Sequence, residues 1–534
     1  PLLFAVLIMS FVSACGLGLD AEARLDRAET ALADGEYRAA IIDAKNILQD
    51  EPDNVAARLV IGRASVNIGD GASAEKEFRR ALELGAGIDI VLVDLGRALL
   101  LLRQFDSVID EIDPELASSE QDRLAAMRVR GDALIGLRQT EAARDVFTEV
   151  LNTNPQDVAA FLGVARTYVA ERNYFQAREV LRNALELDEE YIPAWLTSGD
   201  LATRTGDMDR ALSDYSRATQ LAQKVGDKVL EMESLAGQAN AVLSQQNVDA
   251  ARVMLERMQV LASQDPRTLL VSARIAAADE DWSKAQEDLQ EVLRRVPNQR
   301  QAQMLLGYVQ KESGNLGQAE MYLSAVVNAE PGNATARRLL AETRLMMNKA
   351  DEARQALEPL MAEEAPGVEA LSMAAAASLS LDEFEDATEI LERSIEAAPN
   401  NVLLKIQLAF AYYRAGEPGK ARAILEAISP EEVGSNEFRR DSLLVLSKMA
   451  QGERDVALVE ARSLRDRMPQ LAAAQTLAGT IELSMGEFES ARVSFAKASQ
   501  LEPDDVQSIR YLAQLDELED EPGSAKERYE LILQ

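Results

Sequence analysis

The stretch QAQMLLGYVQKESGNLGQAEMYLSAVVNAEP, running from Gln301 to Pro331, decides the fold. Its first half places Ala302, Leu305, Leu306 and Val309 on one stripe, and its second half places Ala319, Tyr322, Leu323 and Val326 on another. Both stripes follow the i, i+3, i+4, i+7 rhythm of an amphipathic helix. Gly314 lies between them, where a left-handed residue ends a first helix at least cost. Ala319 is small, as two antiparallel helices require at their closest approach, and Pro331 cannot continue the second helix. A pair of helices this short cannot bury its apolar faces alone, so the pattern predicts neighbours of the same kind.

The neighbours are present in both directions. The small residue of the second helix recurs at Ala40, Ala74, Val108, Ala143, Ala177, Ala211, Ala251, Ala285, Ala319, Ala353, Ala387, Ala421, Ala457, Ala491 and Ala525. The spacing is 34 residues except for 35 after Val108, 40 after Ala211 and 36 after Ala421. A glycine often stands five residues earlier (Gly35, Gly69, Gly206, Gly314, Gly416, Gly452, Gly486). A proline often stands twelve residues later (Pro52, Pro155, Pro297, Pro331, Pro399, Pro469, Pro503). Three locked registers over fifteen units predict an all-α solenoid of helical hairpins.

Composition narrows the chemistry. The 534 residues carry 56 basic and 90 acidic side chains, a net charge of -34, with 47% hydrophobic residues and only 5% aromatic ones. There is no histidine, which removes Ser-His-Asp and Cys-His nucleophiles and every His-dependent metal or haem site. One cysteine, Cys15, removes intramolecular disulfides and thiolate clusters. The acidic balance repels a phosphate backbone and argues against nucleic acid. No phosphate-binding GxxxxGK[ST] or GxGxxG arrangement occurs. Glu363-Glu364 and Glu431-Glu432 lie beside prolines and read as solvated turns. The expectation is a non-catalytic protein with no cofactor and no metal.

The repeats resemble the tetratricopeptide family over residues 22 to 534. Trp195-Leu196 with Gly199, Gly206, Ala211, Tyr215 and Ala218 follows that family's pattern nearly position by position. The resemblance implies a right-handed superhelical solenoid of about fifteen repeats, with first helices lining a concave face that receives protein partners. The Lys/Asn clamp by which some members hold a chaperone's carboxyl terminus is missing, since the equivalent positions are Leu25 and Glu29.

The first residues read differently. Leu2 to Val12 is an apolar run too short to span a bilayer and of the length of a signal-peptide core. Val12-Ser13-Ala14-Cys15 resembles a lipobox, which implies a diacylglycerol on the Cys15 sulfur and cleavage before it; the alternative is a buried core thiol. Gly16 in place of Asp implies passage to the outer membrane. No basic segment precedes the run, so the chain, which begins at Pro1, reads as clipped; Tyr529 to Gln534 likewise stops inside a second helix. Segments Gly35 to Asn46, Ala57 to Gly62, Ala74 to Gly85 and Asp110 to Ile112, following a lipobox, resemble the repeat lipoproteins of the PEP-CTERM/exosortase system. That likeness implies a periplasm-facing scaffold, anchored by lipid, that supports exopolysaccharide production or export and PEP-CTERM protein sorting. Two other classes stay open: a general adaptor for envelope complexes, and the scaffold part of an enzyme whose catalytic domain is missing.

The period suggests an organisation of 1–14 as signal remnant, 15–21 as lipidated linker, 22–225 as a first array of six repeats and 226–534 as a second of nine. The boundary rests on the six extra residues around Val225-Gly226-Asp227, which suit a hinge or a lengthened helix pair. Eleven residues before each register alanine lies an inner line of the solenoid. It reads Arg63, Arg97, Asp132, Arg166, Asp200 and Arg274, then Tyr308, Glu342 and Phe410 with Tyr413 nearby. Arginines on that line suit a carboxylate-bearing peptide or an anionic polysaccharide through forked hydrogen bonds. The alternative is pairing between repeats, Arg97 to Asp132 and Arg166 to Asp132 or Asp200. The aromatic part suits stacking on peptide rings or sugars, or ordinary core packing.

Overall fold

The computed structural model describes residues 21–532 apart from 364 and 520, so Cys15 and the apolar run before it lie outside the described residues. Among the described residues the chain is 81% helical with no strand, and thirty helices form the repeats. Most first helices span 13 residues, as in Val55–Asn67 and Arg300–Glu312, and most second helices 14, as in Tyr37–Asp50 and Leu316–Ala329. Irregular pieces occur where the period stumbles. Pro114 limits the second helix after Val108 to Phe105–Glu111, and a short turn of helix at Pro430–Val433 fills the longer spacing after Ala421.

The three registers have the expected physical roles. Every small register residue is fully shielded from water, save Ala525 at 3% exposure. The residue five positions earlier is left-handed in every repeat where it is described. Seven of these residues are glycines, such as Gly314 at φ 77°, and seven are not, such as Arg138 at 63° and Arg172 at 60°. The prolines fall two residues past the second helix, and two residues on, except at Leu471, a polar side chain caps the next first helix. Asn333 Oδ1 accepts from the Ala336 N–H at 3.0 Å, and Asp157 Oδ1 from the Ala160 N–H at 2.9 Å. That cap is a fourth register.

A fifth concerns size. The residue four after the register alanine faces the one twelve before it. Where the former is a buried aromatic, the latter is glycine: Phe78 opposite Gly62, Phe147 opposite Gly131, Tyr215 opposite Gly199, Phe495 opposite Gly479. A Cβ on Gly62 would lie 2.5 Å from Phe78 Cε1. Where the second helix carries leucine, alanine is tolerated opposite: Ala165 shares a core with Leu181, Ala341 with Leu357 and Ala375 with Leu391. In these hairpins a larger side chain on the second helix is matched by a smaller one on the first.

The chain falls into two compact units, 1–281 and 282–534, each with seven complete hairpins and one further helix. Position 225/226 lies within the first unit. There the extra residues lengthen two packed helices, Met208–Val225 at 18 residues and Lys228–Ser244 at 17. Through most of each unit a first helix touches the next first helix, and second helices form no such row. First helices are therefore the crowded side of each unit, and the line eleven residues before the register alanine runs along them.

Candidate functional site

In the first unit the line is a string of pairs. Arg63 Nε donates to Asp94 Oδ2 at 2.9 Å, and Arg97 lies 3.7 Å from the same carboxylate. Arg97 therefore does not reach Asp132, because Asp94 stands one turn behind it on its own helix. Arg166 does reach Asp132, with a guanidinium N–H donating to Oδ1 at 2.8 Å across one repeat. Burial pushes the Asp132 carboxyl above its ordinary value, and Arg166 and Arg128 only partly offset this. Asp200 joins neither arginine; it accepts the Tyr215 hydroxyl at 2.6 Å, and crowding by protein raises its carboxyl too. Arg274 donates to Asn240 Oδ1 one repeat back, and burial lowers its guanidinium below the ordinary value. A hydrogen bond to a neutral amide leaves the Arg274 charge uncompensated there.

In the second unit the line changes character. Tyr308 meets Trp282 edge-on at 6.1 Å between centroids, and the Lys311 ammonium lies 5.5 Å from the Tyr308 ring. Lys311 is nearly enclosed and pairs with Glu342 at 2.9 Å and Glu312 at 2.8 Å. Phe410 is 38% exposed and lines a cavity of about 400 Å³, with Leu446 one repeat further along. Tyr413 does not join them. It packs against the core that holds Ala421 and Leu425, as a structural side chain.

Sequence reasoning missed a clasp between successive repeats. The residue after the register alanine is arginine at Arg144, Arg178, Arg252, Arg354, Arg422 and Arg492, and all but Arg178, whose equivalent turn residue is Thr205, reach an acid at the turn of the next hairpin. Their partners are Glu171, Asp279, Glu383, Glu453 and Glu519; Arg422 to Glu453 and Arg492 to Glu519 are both 2.8 Å. The recurring Ala-Arg dipeptide is its signal in the sequence. Such half-exposed pairs contribute little singly and set orientation when repeated.

Among the described residues no group of three or more metal-ligating side chains is found, and no helix is long and apolar enough to cross a membrane. What the geometry offers is a line of side chains along stacked first helices, charged and paired in one unit and partly apolar in the other.

Two models of the tetratricopeptide repeat match, one over 31–90, 310–377 and 378–440, the other over 128–192, 162–226 and 270–334. Between them they cover more than half of the chain, which belongs to the tetratricopeptide-repeat family. Tetratricopeptide repeat protein 21A of Homo sapiens is 21% identical over 240 residues, 41% of this chain and 18% of that protein. Cellulose synthase 1 operon protein C of Komagataeibacter xylinus is 24% identical over 285 residues, 52% of this chain and 19% of that protein. The chain thus spans about a fifth of the length of these relatives. Among solved structures, Cut9 with Hcn1 from the APC/C hetero-tetramer aligns with 98% of this chain and 94% of that chain, at 15% identity and a TM-score of 0.37. The MamA protein aligns with 33% of this chain and 94% of that chain, at 19% identity and a TM-score of 0.30. The chain is a repeat scaffold of the kind that mediates protein–protein interaction.

Proposed function

We propose that this chain is a non-catalytic scaffold of the bacterial cell envelope, anchored by lipid at Cys15, facing the periplasm from the outer membrane. It gathers proteins of exopolysaccharide synthesis or export, and of PEP-CTERM sorting, along its first helices. The observation that carries the reading is the inner line within each unit: side chains one repeat apart along stacked first helices suit an extended partner, with charged groups on offer in one unit and partly apolar ones in the other. The likeness to a cellulose synthase operon protein supports the polysaccharide setting.

The test has two parts. Labelled palmitate should enter the full-length protein and not Cys15→Ser; equal labelling of both removes the anchor. A photo-cross-linking residue at position 97 or 410 should capture polysaccharide-export proteins in intact cells, and capture of no protein from either position overturns the scaffold. The arginine line has its own control. Arg63→Ala with Arg97→Ala should weaken partner capture at low salt and reduce the salt dependence of binding. If the pairs serve architecture alone, the same double variant melts early, because Asp94 loses both cations, and each folded molecule binds as before.

A further inference from the structure

The second unit contains a groove that the inner line enters at Phe410. It lies between the first helices Val402–Arg414 and Glu437–Ala450, with a volume of about 400 Å³. Its origin is local. The intervening second helix, Pro418–Glu426, has nine residues instead of fourteen, and the chain then makes the extra turn Pro430–Val433, fixed by a capping box between Ser429 and Glu432. The walls are apolar, with Leu403 at 40% exposure, Phe410, Leu443 and Leu446.

Two polar groups interrupt them. The side-chain carbonyl of Gln407 is shielded from water and has no hydrogen-bond partner, a costly condition for a buried acceptor. Arg439 stands exposed at the groove, and among the described residues its guanidinium has no carboxylate. The neighbouring Arg440 takes Asp441 instead, and the Ser442 hydroxyl is spent on the Arg439 carbonyl oxygen.

We propose that this groove docks an extended peptide segment of a partner protein, in which a bulky apolar side chain is followed by a carboxylate. The apolar side chain enters between Phe410, Leu443 and Leu446. The carboxylate pairs with Arg439, the exposed cation at the groove. A sugar ring is the poorer occupant. It would turn several hydroxyls toward leucine walls and find few polar groups to receive them. The inference rests on the scaffold reading and adds the partner's chemistry and its place of binding.

A random dodecapeptide phage library panned against the full chain tests it. The expected result is an enriched consensus of one large apolar residue with Asp or Glu one to three positions later. Phe410→Asp and Arg439→Glu should each lose it, while Arg63→Ala should keep it. A synthetic fluorescent peptide of that consensus should bind Arg439→Glu about ten-fold more weakly at low salt, with the gap narrowing at high salt. Both positions are exposed, and amide exchange over 402–450 checks that the variants stay folded. A consensus that survives both substitutions, one lacking the acidic residue, or no consensus at all overturns the groove. So does cellohexaose binding that Phe410→Asp abolishes. Failure of the scaffold reading looks different: cross-linkers along the first helices then capture no protein.

Discussion

Adding one methyl group at Gly62 tests how the hairpins divide their interior. The new Cβ would sit 2.5 Å from Phe78 Cε1 and 2.7 Å from Cζ, where carbon atoms rest at about 3.5–4 Å. Phe78 is fully enclosed, so its ring has no free direction in which to yield. Overpacking of this kind costs about 1–3 kcal/mol, and replacing glycine by alanine within a helix returns up to about 1. Gly62→Ala should therefore destabilise its hairpin by about 1–2 kcal/mol. Phe78→Leu alone leaves a gap and costs about 1 kcal/mol. The double variant recreates the Ala165–Leu181 arrangement and should return to within about 0.5 kcal/mol of the parent. A repeat array opens piecewise, so the assay is amide exchange over 55–83 rather than a global midpoint. Gly62→Ala should speed exchange there about 5- to 30-fold, and the second substitution should reverse it. If the single effects simply add, to within about 0.5 kcal/mol, the size rule is refuted.

Arg172 holds a left-handed turn at φ 60° where seven other repeats use glycine, so Arg172→Gly should stabilise its hairpin by about 0.5–1 kcal/mol, read as slower exchange over 158–187. Slower opening without change elsewhere is expected; faster opening refutes the strain. Asp132 holds its proton more tightly folded than unfolded, so hairpins around it gain stability as pH falls from the folded pKa toward the unfolded value near 3.9 and lose it as pH rises again. Carbon-13 titration should place its carboxyl above the ordinary value, and Arg166→Ala should raise it further; a depressed carboxyl refutes the argument. Glu482 is fully enclosed and accepts from Arg462 at 2.8 Å, Arg465 at 3.1 Å and the Ser494 hydroxyl at 2.8 Å. Glu482→Ala removes the buried acceptor that Arg462 and Arg465 share, leaving Arg462 with Glu487 and Arg465 with Asp466; it should cost about 1–3 kcal/mol in exchange over 454–501, while a loss below about 0.5 refutes a stabilising role for this acceptor.

The hairpins were legible in the sequence because Gly314, Ala319 and Pro331 answer to backbone geometry, which repeats with the chain. Pairing was less legible. Arg97 has acids at two distances, and helical geometry favours Asp94, which sequence spacing between repeats does not reveal. The extra residues near Gly226 suited a hinge or a lengthened helix pair by count, and they lengthen two helices, because Leu221 and Ala222 and then Met232 and Leu235 keep the buried stripe going. Phe410 lay on the inner line by register alone. Its groove depends on a shortened second helix and a capped turn, whose consequence for spacing between helices is three-dimensional.

The division of volume within hairpins also bears on how such a chain can grow. Phe78 and Phe495 each press on a glycine of their own hairpin and on none in the hairpin that follows. Phe147 and Tyr215 reach further. Their rings also lie against Gly163 and Gly237 in the hairpins that follow, where an added Cβ would come within 2.4 and 2.6 Å. A recombination event that inserts a unit after either of these hairpins must bring a glycine at that place or break the seam. Phe105 does the same to Gly136, where an added Cβ would come within 2.6 Å, so the order of units is inherited as linked blocks at these three joints.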